Sequence, residues 1–331
     1  MKRVMLLSTG GTIASAPGED GLAPRFSGRD MIGLIPGLGK VCKVECKAIL
    51  NIDSSNMQPE DWQLIAGSVY EGLKEFDGIV ITHGTDTMAY TSSMLSFMLR
   101  NLNKPVVLTG SQLPIDTPGT DGKRNILHAF KVATLDLPGV YIVFDGKIIK
   151  GSRAVKLRTK SFNAFESVNH PYTGYIKEDE VMIENFPPPA AGGVFELDSR
   201  FNANVFLHKL IPGTEPRFYD LFKKAGYDGL VVESFGAGGL PFEKRNLIPK
   251  IHELIEQGIA VVVTTQCLYE GSDLMIYEVG RKAAKAGVIP AYDMTTEAAV
   301  TKLMWVLGRT TDPAEVKLMM LASLSGEISV P

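Results

Sequence analysis

Four short runs of almost wholly apolar residues, separated by helix-like patterns, constrain the fold of this chain more than any other feature. They predict strands at residues 3–8, 78–82, 105–109 and 139–144, with helices at 59–76, 87–101 and 122–135 between them. Strands that are covered on both faces have continuous rather than alternating apolar sequences. The pattern therefore predicts an α/β domain with a doubly wound, mostly parallel sheet.

The pattern is interrupted near residue 184 and resumes after residue 213. The segment "NFPPPAAGG" (185–193) carries three consecutive prolines, which neither a helix nor a central strand can accommodate. Beyond it the sequence predicts strands at 229–233 and 259–264 and helices at 216–225, 245–257, 273–286 and 296–307. We therefore expect a larger N-terminal domain (1–183), a linker (184–213) and a smaller C-terminal α/β domain (214–331).

Composition excludes several classes of function. A net charge of −3 over 331 residues gives no basic surface for nucleic acid, and no apolar run is long enough to span a bilayer. The three cysteines, Cys42, Cys46 and Cys267, form neither a disulfide framework nor a zinc-ligand pattern. With no segment that fits an export signal, we expect a cytoplasmic protein without a bound metal.

Hydroxyl side chains follow the predicted strands at the points where the strands end. Thr12 follows the first strand and Gly10-Gly11, and Thr85 and Asp86 follow the second strand and Gly84. Ligands bind at the carboxyl ends of strands in open parallel sheets. Neither a Walker motif nor a dinucleotide fingerprint matches the glycines, although a turn that serves only packing remains an alternative.

These residue types suggest nucleophilic chemistry. A threonine hydroxyl is a weak nucleophile until a base removes its proton, and lysine can replace histidine in that role. Lys156 ends the motif "GSRAVK", and its amine can accept a proton only in its neutral form, which burial favours. Thr85 could relay a proton to Lys156 while Asp86 binds a substrate ammonium. Such a division of labour needs neither a metal nor an organic cofactor.

The motifs "TGGTIAS" (9–15), "HGTDTMAYT" (83–91), "TGSQ" (109–112) and "SRAVK" (152–156) resemble the signatures of the L-asparaginase family. "DSSNM" (53–57), "TQC" (265–267) and "DMTTEA" (293–298) extend the resemblance over nearly the whole chain. It is greatest to the bacterial cytoplasmic, type I members.

The resemblance implies hydrolysis of L-asparagine to L-aspartate and ammonia, with minor use of glutamine. It also implies a site completed by self-association, as a dimer or a dimer of dimers. Thr12 matches the acylated nucleophile, Thr85 the second hydroxyl, Asp86 the ligand of the substrate α-amino group, and Lys156 the base. The remaining matches are substrate-binding positions: Ser54, Ser55, Gly11 and Gly84.

Two positions depart from the family pattern. Many members carry a tyrosine about ten residues after the nucleophile, where this chain has Leu22. Tyr277 is the candidate substitute, and a helix tyrosine that serves only packing is the alternative. The second departure is Gly239, which stands where relatives often have asparagine. Two further expectations are that His83 is a structural hydrogen-bonding residue and that Cys267 is buried, although "TQC" borders an effector site in some relatives.

Two other functions compete with asparagine hydrolysis. One is that of the ammonia-donating, asparaginase-like component of archaeal Glu-tRNA amidotransferase, which usually has an extra domain before its TGGT motif. Here Thr9 follows only eight residues. The other is an amino-acid sensor that keeps the fold without turnover, against which the set Thr12, Thr85, Asp86 and Lys156 weighs.

Overall fold

The computed structural model describes residues 1–18, 21–186 and 193–329. It divides into two compact units, Met1–Ser199 and Arg200–Pro331. Among the described residues, none of the helices combines the length and apolar character needed to cross a bilayer.

The described part of the first unit contains a large mixed sheet, three two-stranded sheets and several helices. Its strands are β1 (Arg3–Gly10), β2 (Ser15–Gly18), β3 (Gly21–Pro24), β4 (Lys43–Ile52), β5 (Gly78–Thr82), β6 (Leu99–Arg100), β7 (Pro105–Thr109), β8 (Gly139–Phe144), β9 (Lys147–Lys150), β10 (Ala154–Lys156), β11 (Phe165–Ser167), β12 (Gly174–Lys177), β13 (Glu180–Ile183) and β14 (Glu196–Leu197). Its helices are α1 (Gly28–Gly33), α2 (Leu38–Val41), α3 (Pro59–Glu75), α4 (Met88–Met98) and α5 (Gly122–Ala133).

The main sheet is parallel over most of its width. Its strand order is β13-β12-β9-β8-β7-β5-β1-β4. The pairs from β8 to β4 are parallel, whereas β9, β12 and β13 add an antiparallel edge. The expected α/β class with a mostly parallel sheet is confirmed. The antiparallel edge was not predicted.

Strand β1 lies where the direction of winding reverses. The chain pairs β1 with β4 on one side and, after α3, with β5 on the other. In open α/β sheets, the crevice beyond the carboxyl ends of the strands at such a point is where ligands bind. The residues that follow β1, β4 and β5 are therefore the first place to examine for a site.

Local sequence explains where the helix between β4 and β5 begins. In α3, Pro59 occupies the first turn, where its missing N–H costs nothing. The Asp61 carboxylate accepts a hydrogen bond from the Gln58 backbone N–H at 2.9 Å, and Glu60 adds a second acidic residue favourable to the helix dipole. The buried face of α3 packs towards the sheet, so the helix returns the chain from β4 to β5.

Helix α4 is shorter than the sequence predicts. It ends at Met98 rather than at residue 101, because Leu99 and Arg100 form β6 and pair with Leu197 and Glu196 of β14. The prediction extends the helix to residue 101 because the apolar residues continue beyond Met98. A pairing partner almost one hundred residues away ends the helix instead.

The second unit is a parallel sheet with its own helices and core. Its strands are β15 (Val205–Lys209), β16 (Gly229–Ser234), β17 (Ala260–Thr265) and β18 (Ile289–Pro290), paired in that order. Its helices are α6 (Asp220–Lys224), α7 (Ile248–Glu256), α8 (Glu278–Lys285), α9 (Thr296–Leu307) and α10 (Pro313–Leu321). Helices α7 and α8 begin later than predicted, at Ile248 and Glu278.

The segment predicted as a linker, 184–213, contains secondary structure. Strands β14 and β15 both lie within it, and β15 pairs with β16. Residues 187–192 of this segment lie outside the described residues. The domain boundaries at 183 and 214 stay a prediction.

Candidate active site

The two glycines after β1 allow three strand ends to approach one another closely. Gly10 and Gly11 have φ values of 104° and 79°, in the region that favours glycine. A Cβ on Gly10 would lie 2.6 Å from the Ile52 nitrogen, and one on Gly11 would lie 2.5 Å from the Gly84 Cα. The Gly11 N–H also donates to the Ile52 carbonyl at 2.9 Å. The glycines thus bring Thr12, at the start of a 3-10 turn, beside the turn after β5.

The turn after β4 is fastened to the turn after β5. Buried Ser54 accepts a hydrogen bond at its Oγ from the Asp86 N–H (3.3 Å), and its carbonyl accepts one from the Thr87 hydroxyl (2.8 Å). A Cβ on Gly84 would lie 2.5 Å from the Ser54 Oγ. Ser55 lies beside this pair, with its Oγ 3.5 Å from Asp86 Oδ2. Four predicted substrate-binding positions, Gly11, Ser54, Ser55 and Gly84, therefore lie together.

Lys156 connects a hydroxyl and a carboxylate. It is the last residue of β10, and its Nζ donates to Thr85 Oγ1 and to Asp86 Oδ1, each at 2.7 Å. The Lys156 side chain is 14% exposed, whereas that of Asp86 is 58% exposed. Thr85 is buried. The amine is therefore sheltered while the carboxylate presents one side to solvent, where a cationic ligand can reach it.

The Thr12 hydroxyl has no comparable network. Thr12 is half-buried, and its side chain makes no hydrogen bond to any residue that the structure describes. Leu22 lies in β3, opposite Pro17 in the hairpin with β2. The Thr12 hydroxyl thus lies at the end of β1, the edge at which open α/β sheets bind ligands, without a hydrogen bond to the described residues.

Tyr277 lies in the second unit, directly before α8. It is 62% exposed and borders a cavity of about 640 Å³ together with Phe235, Gly239 and Phe242. Gly239 donates its N–H to the Phe235 carbonyl at 2.7 Å, so this N–H is bonded within the loop, and the polar side chains that line the cavity include Glu243 and Lys244. Its surface position leaves the phenol available. The pairing of Tyr277 with Thr12 stays a prediction.

His83 is a structural hydrogen-bonding residue, as expected. It is fully buried, with Nδ1 2.7 Å from the Gly84 carbonyl and Nε2 2.9 Å from the Thr91 hydroxyl. A carbonyl can only accept, so Nδ1 carries the proton and Nε2 accepts from Thr91. Trp62 Nε1 donates to the same hydroxyl at 3.0 Å. Burial lowers the pKa of His83 to about 4, which keeps the ring neutral at physiological pH.

The turn after β7 contains polar residues to which the sequence analysis gave no role. The Asp121 carboxylate accepts from the backbone N–H groups of Gln112 and Leu113, and Asn125 donates to both Asp121 and the Gly110 carbonyl. Burial raises the pKa of Asp121, although these backbone bonds oppose the shift. The position of "TGSQ" at a strand end was the signal that could have identified this turn.

The expectation that Cys267 is buried is wrong. Cys267 is exposed, and its backbone N–H donates to the Thr265 hydroxyl at 3.0 Å, just beyond the end of β17. Its place in a loop, rather than in the preceding strand, explains the exposure. In the described part of the chain, no three His, Cys, Asp or Glu side chains are arranged to hold a metal ion.

The fold and the site together define a class: a two-unit α/β protein with threonine hydroxyls, a lysine and a carboxylate at the point where its larger sheet reverses. Residues 3–188 match the family model described as asparaginase, N-terminal, and residues 204–320 match the glutaminase/asparaginase C-terminal domain. The chain belongs to the asparaginase family.

Individual relatives agree with this assignment. The chain is 46% identical over 329 residues to the L-asparaginase of Thermococcus kodakarensis, covering 99% of both, and the solved structure of that thermostable enzyme gives a TM-score of 0.93. L-asparaginase I from Vibrio cholerae gives a TM-score of 0.90 at 31% identity, with 99% of each chain covered. A component of the glutamyl-tRNA(Gln) amidotransferase from Pyrococcus furiosus is 38% identical, over 98% of this chain and 76% of its own length.

Proposed function

We propose that this protein hydrolyses L-asparagine to L-aspartate and ammonia through an acyl-enzyme on Thr12. The observation that carries the proposal is the position of the Lys156 amine, 2.7 Å from both Thr85 Oγ1 and Asp86 Oδ1, at the edge of the sheet where Thr12 follows β1. The 46% sequence identity to an L-asparaginase, over 99% of both chains, supports the proposal. The more distant match to an amidotransferase component makes that alternative the weaker one.

In the first half-reaction, the Thr12 Oγ attacks the side-chain amide carbon of asparagine. The proton of the Thr12 hydroxyl passes, through the base that activates Thr12, to the amide nitrogen. The C–N bond breaks, ammonia leaves, and Thr12 carries an aspartyl ester. In the second half-reaction, water adds to the ester while Thr85 relays one proton of this water to Lys156. The bond between the acyl carbon and Thr12 Oγ then breaks, Thr12 Oγ takes back this proton, and aspartate leaves. The Gly84 N–H would stabilise the developing oxyanion, a contribution of about 2.7–4 kcal/mol, whereas the Gly11 N–H is bonded to the Ile52 carbonyl.

The contact between Lys156 and Asp86 makes the base responsive to substrate. In the structure the Asp86 carboxylate accepts a hydrogen bond from the Lys156 amine at 2.7 Å. The α-ammonium of asparagine, bound at the exposed side of Asp86, would compete for the same carboxylate and weaken that hydrogen bond. Substrate binding and release of the base are thereby coupled.

Self-association and cytoplasmic location are part of the same proposal. An exposed apolar stretch in the second unit, with Met275 (60%), Ile276 (56%) and Tyr277 (62%), supplies a surface that a second copy could cover. A structure from Campylobacter jejuni described as a probable cytoplasmic L-asparaginase has a TM-score of 0.82 to this chain. Three unpaired cysteines are compatible with a reducing compartment.

The decisive experiment measures ammonia release from L-asparagine, L-glutamine and D-asparagine by the purified protein. We expect turnover of L-asparagine to dominate, with minor turnover of L-glutamine. Preference for glutamine would favour the amidotransferase-type function instead. Tight binding of asparagine without ammonia release would favour the sensor. Specific activity that stays constant on dilution to a monomer, followed by sedimentation, would contradict the role of self-association.

A further inference from the structure

The loop that follows Lys156 is held by a side-chain amide from another strand end. Residues 157–164 connect β10 to β11, and the Leu157 N–H donates to the Ala164 carbonyl at 2.8 Å. Gln112, in the turn after β7, donates from Nε2 to the Arg158 carbonyl (3.3 Å) and to the Ser161 carbonyl (3.0 Å). Both hydrogens of one amide therefore bridge the loop.

Gln112 is itself held rigidly. Its backbone N–H and that of Leu113 donate to the Asp121 carboxylate at 3.0–3.2 Å. Asp121 is only 2% exposed, and Asn125 donates to its Oδ2 at 3.1 Å. A side chain that starts from so fixed a backbone loses little additional freedom when its amide binds the loop.

A second anchor lies on the other side of the same loop. Glu166 of β11 accepts hydrogen bonds from Lys147 Nζ (2.9 Å), from Arg158 Nη1 (3.2 Å) and from the Tyr172 hydroxyl. Burial would raise the pKa of Glu166, but the bonds from Tyr172, Lys147 and Arg158 outweigh it and hold the pKa below its usual value. Because Glu166 stays ionised, it fastens β9 and the Arg158 side chain to the hairpin that carries Lys156.

We propose that Gln112 and Glu166 are positioning residues that place the Lys156 amine against Thr85 and Asp86 by fixing the backbone on both sides of the 157–164 loop. In the part of the chain that the structure describes, neither forms a hydrogen bond or ion pair with Lys156, Thr85 or Asp86. They act through the backbone. The inference rests on the proposed function, because it presupposes that Lys156 is the base.

Precise placement matters because the lysine amine stands at the end of a four-carbon chain. Its two 2.7 Å bonds hold only if the backbone at the end of β10 stays in register with β11, where Lys156 pairs with Phe165. A misplacement of about 1 Å in a catalytic group can cost on the order of 10²-fold in rate. Loss of either anchor should therefore lower kcat more than it changes substrate binding.

The test compares Gln112→Met and Glu166→Gln with the parent in ammonia release from L-asparagine. Each replacement keeps the side-chain length and removes either the two donors or the charge. We expect kcat to fall by about 10- to 100-fold with KM changed less than about threefold. The double variant should lose less than the product of the two single losses, because both act on the same loop.

Ile149→Val is the matched control, since Ile149 is buried in β9 between Lys147 and the residues that lead to β10. It should lower the thermal midpoint while keeping kcat within about twofold of the parent. If Gln112→Met, or Glu166→Gln where it folds, loses no more kcat than this control, the positioning role is overturned. A rise in KM with unchanged kcat would overturn it as well.

Lys156→Met, assayed alongside, separates the two levels of the argument. If this variant keeps the activity of the parent, the proposed function of Lys156 fails, whatever the positioning variants do. If Lys156→Met is inactive while Gln112→Met and Glu166→Gln behave like the control, only the positioning inference fails.

Discussion

The turns after β1 and β5 look alike in sequence, since each ends a buried strand and presents a threonine after glycine, but they are built differently. Thr85 is buried and accepts a hydrogen bond from the Lys156 amine. It precedes Asp86 and follows His83 and Gly84, which are joined by a hydrogen bond of the His83 ring. The Thr12 hydroxyl is half-buried and has no partner among the described residues. A nucleophile gains from being available, whereas a proton relay gains from being fixed. The contrast supports the proposal that Thr12 is the nucleophile and Thr85 the proton relay.

The largest effects should come from removing the two hydroxyls. Thr12→Ala and Thr85→Val should each lower kcat by at least about 10⁴-fold, as expected for members of a catalytic unit. Their stabilities should differ, since only Thr85→Val breaks a hydrogen bond, at a cost of about 0.5–1.5 kcal/mol. Steady-state kinetics and thermal unfolding of both variants measure the contrast.

Thr109→Val provides the matched control for this comparison. Thr109 ends the neighbouring strand β7, and its buried hydroxyl donates to the Val143 carbonyl at 2.7 Å. The variant should lose a similar amount of stability and keep kcat within a few-fold. Near-normal kcat in Thr12→Ala or Thr85→Val would show that the assigned chemistry is wrong.

The next effect concerns the activation of Thr12, whose turn has no base of its own. If Tyr277, from the same or a neighbouring subunit, orients or deprotonates Thr12, Tyr277→Phe should lower kcat by about 10²–10⁴-fold with KM little changed. Tyr269→Phe, at another exposed tyrosine of the second unit, should leave kcat unaltered. A loss below about threefold in Tyr277→Phe would assign Tyr277 to the surface alone. Leu22→Tyr would then be informative, because a gain in rate would mean that the site runs without a phenol.

Sequence alone located the central strands well and the edges of the sheet poorly. The predictions for β5, β7 and β8 match the structure residue for residue, because strands buried on both faces are apolar throughout. Strands β12 and β13 mix exposed and buried residues, and their pairing depends on β9 rather than on local preference. The same limit applies to helix α8, where the apolar residues 274–276 extend the helical pattern although the helix begins only at Glu278.

The candidate site shows the same division between local and distant information. The glycine turns at Gly11 and Gly84 have local signatures, so their positions follow from sequence. The bonds from Lys156 to Thr85 and Asp86 depend on how β10 is held by β11 and by the loop that Gln112 bridges. These contacts join residues that are far apart in the chain, so the local pattern of apolar and polar residues does not predict them.

A smaller effect concerns the turn after β5 alone, and it should be visible in how the free energy of unfolding depends on pH. His83, beneath the β5 turn, has a pKa near 4 in the folded protein against 6.5 for an ordinary histidine. Between these values the unfolded chain takes up a proton that the folded chain does not, so the free energy of unfolding falls as pH falls from about 6.5 to about 4. The full difference is roughly 3 kcal/mol at about 1.4 kcal/mol per pH unit.

Chemical denaturation at a series of pH values measures this slope. His83→Gln should remove that part of the slope, and His252→Gln, at a half-exposed ring on α7, should retain it. An unchanged slope in His83→Gln would mean that other groups account for acid sensitivity, and that the β5 turn does not owe its rigidity to a neutral histidine.

The smallest expected effect tests whether the β5 turn binds substrate as well as relaying protons. Asp86 is 58% exposed and shares its carboxylate between Lys156 and, in the proposed complex, the α-ammonium of asparagine. Asp86→Asn removes a charge-assisted hydrogen bond of about 1.5–3 kcal/mol, so KM for asparagine should rise by roughly 10- to 150-fold. Because Asp86 contacts the α-ammonium rather than the reacting amide in this proposal, kcat should fall by a smaller factor than KM rises. Asp136→Asn, at a carboxylate that is 93% exposed and paired with Lys2, should change neither constant.

A substrate analogue tests the same role of Asp86 from the other side. Succinamate keeps the amide and the carboxylate of asparagine but lacks the amino group. It should be a poor substrate of the parent, and Asp86→Asn should hydrolyse it no more slowly than the parent does. Efficient hydrolysis of succinamate by the parent would mean that Asp86 serves only to hold Lys156, and that recognition of the amino group lies elsewhere.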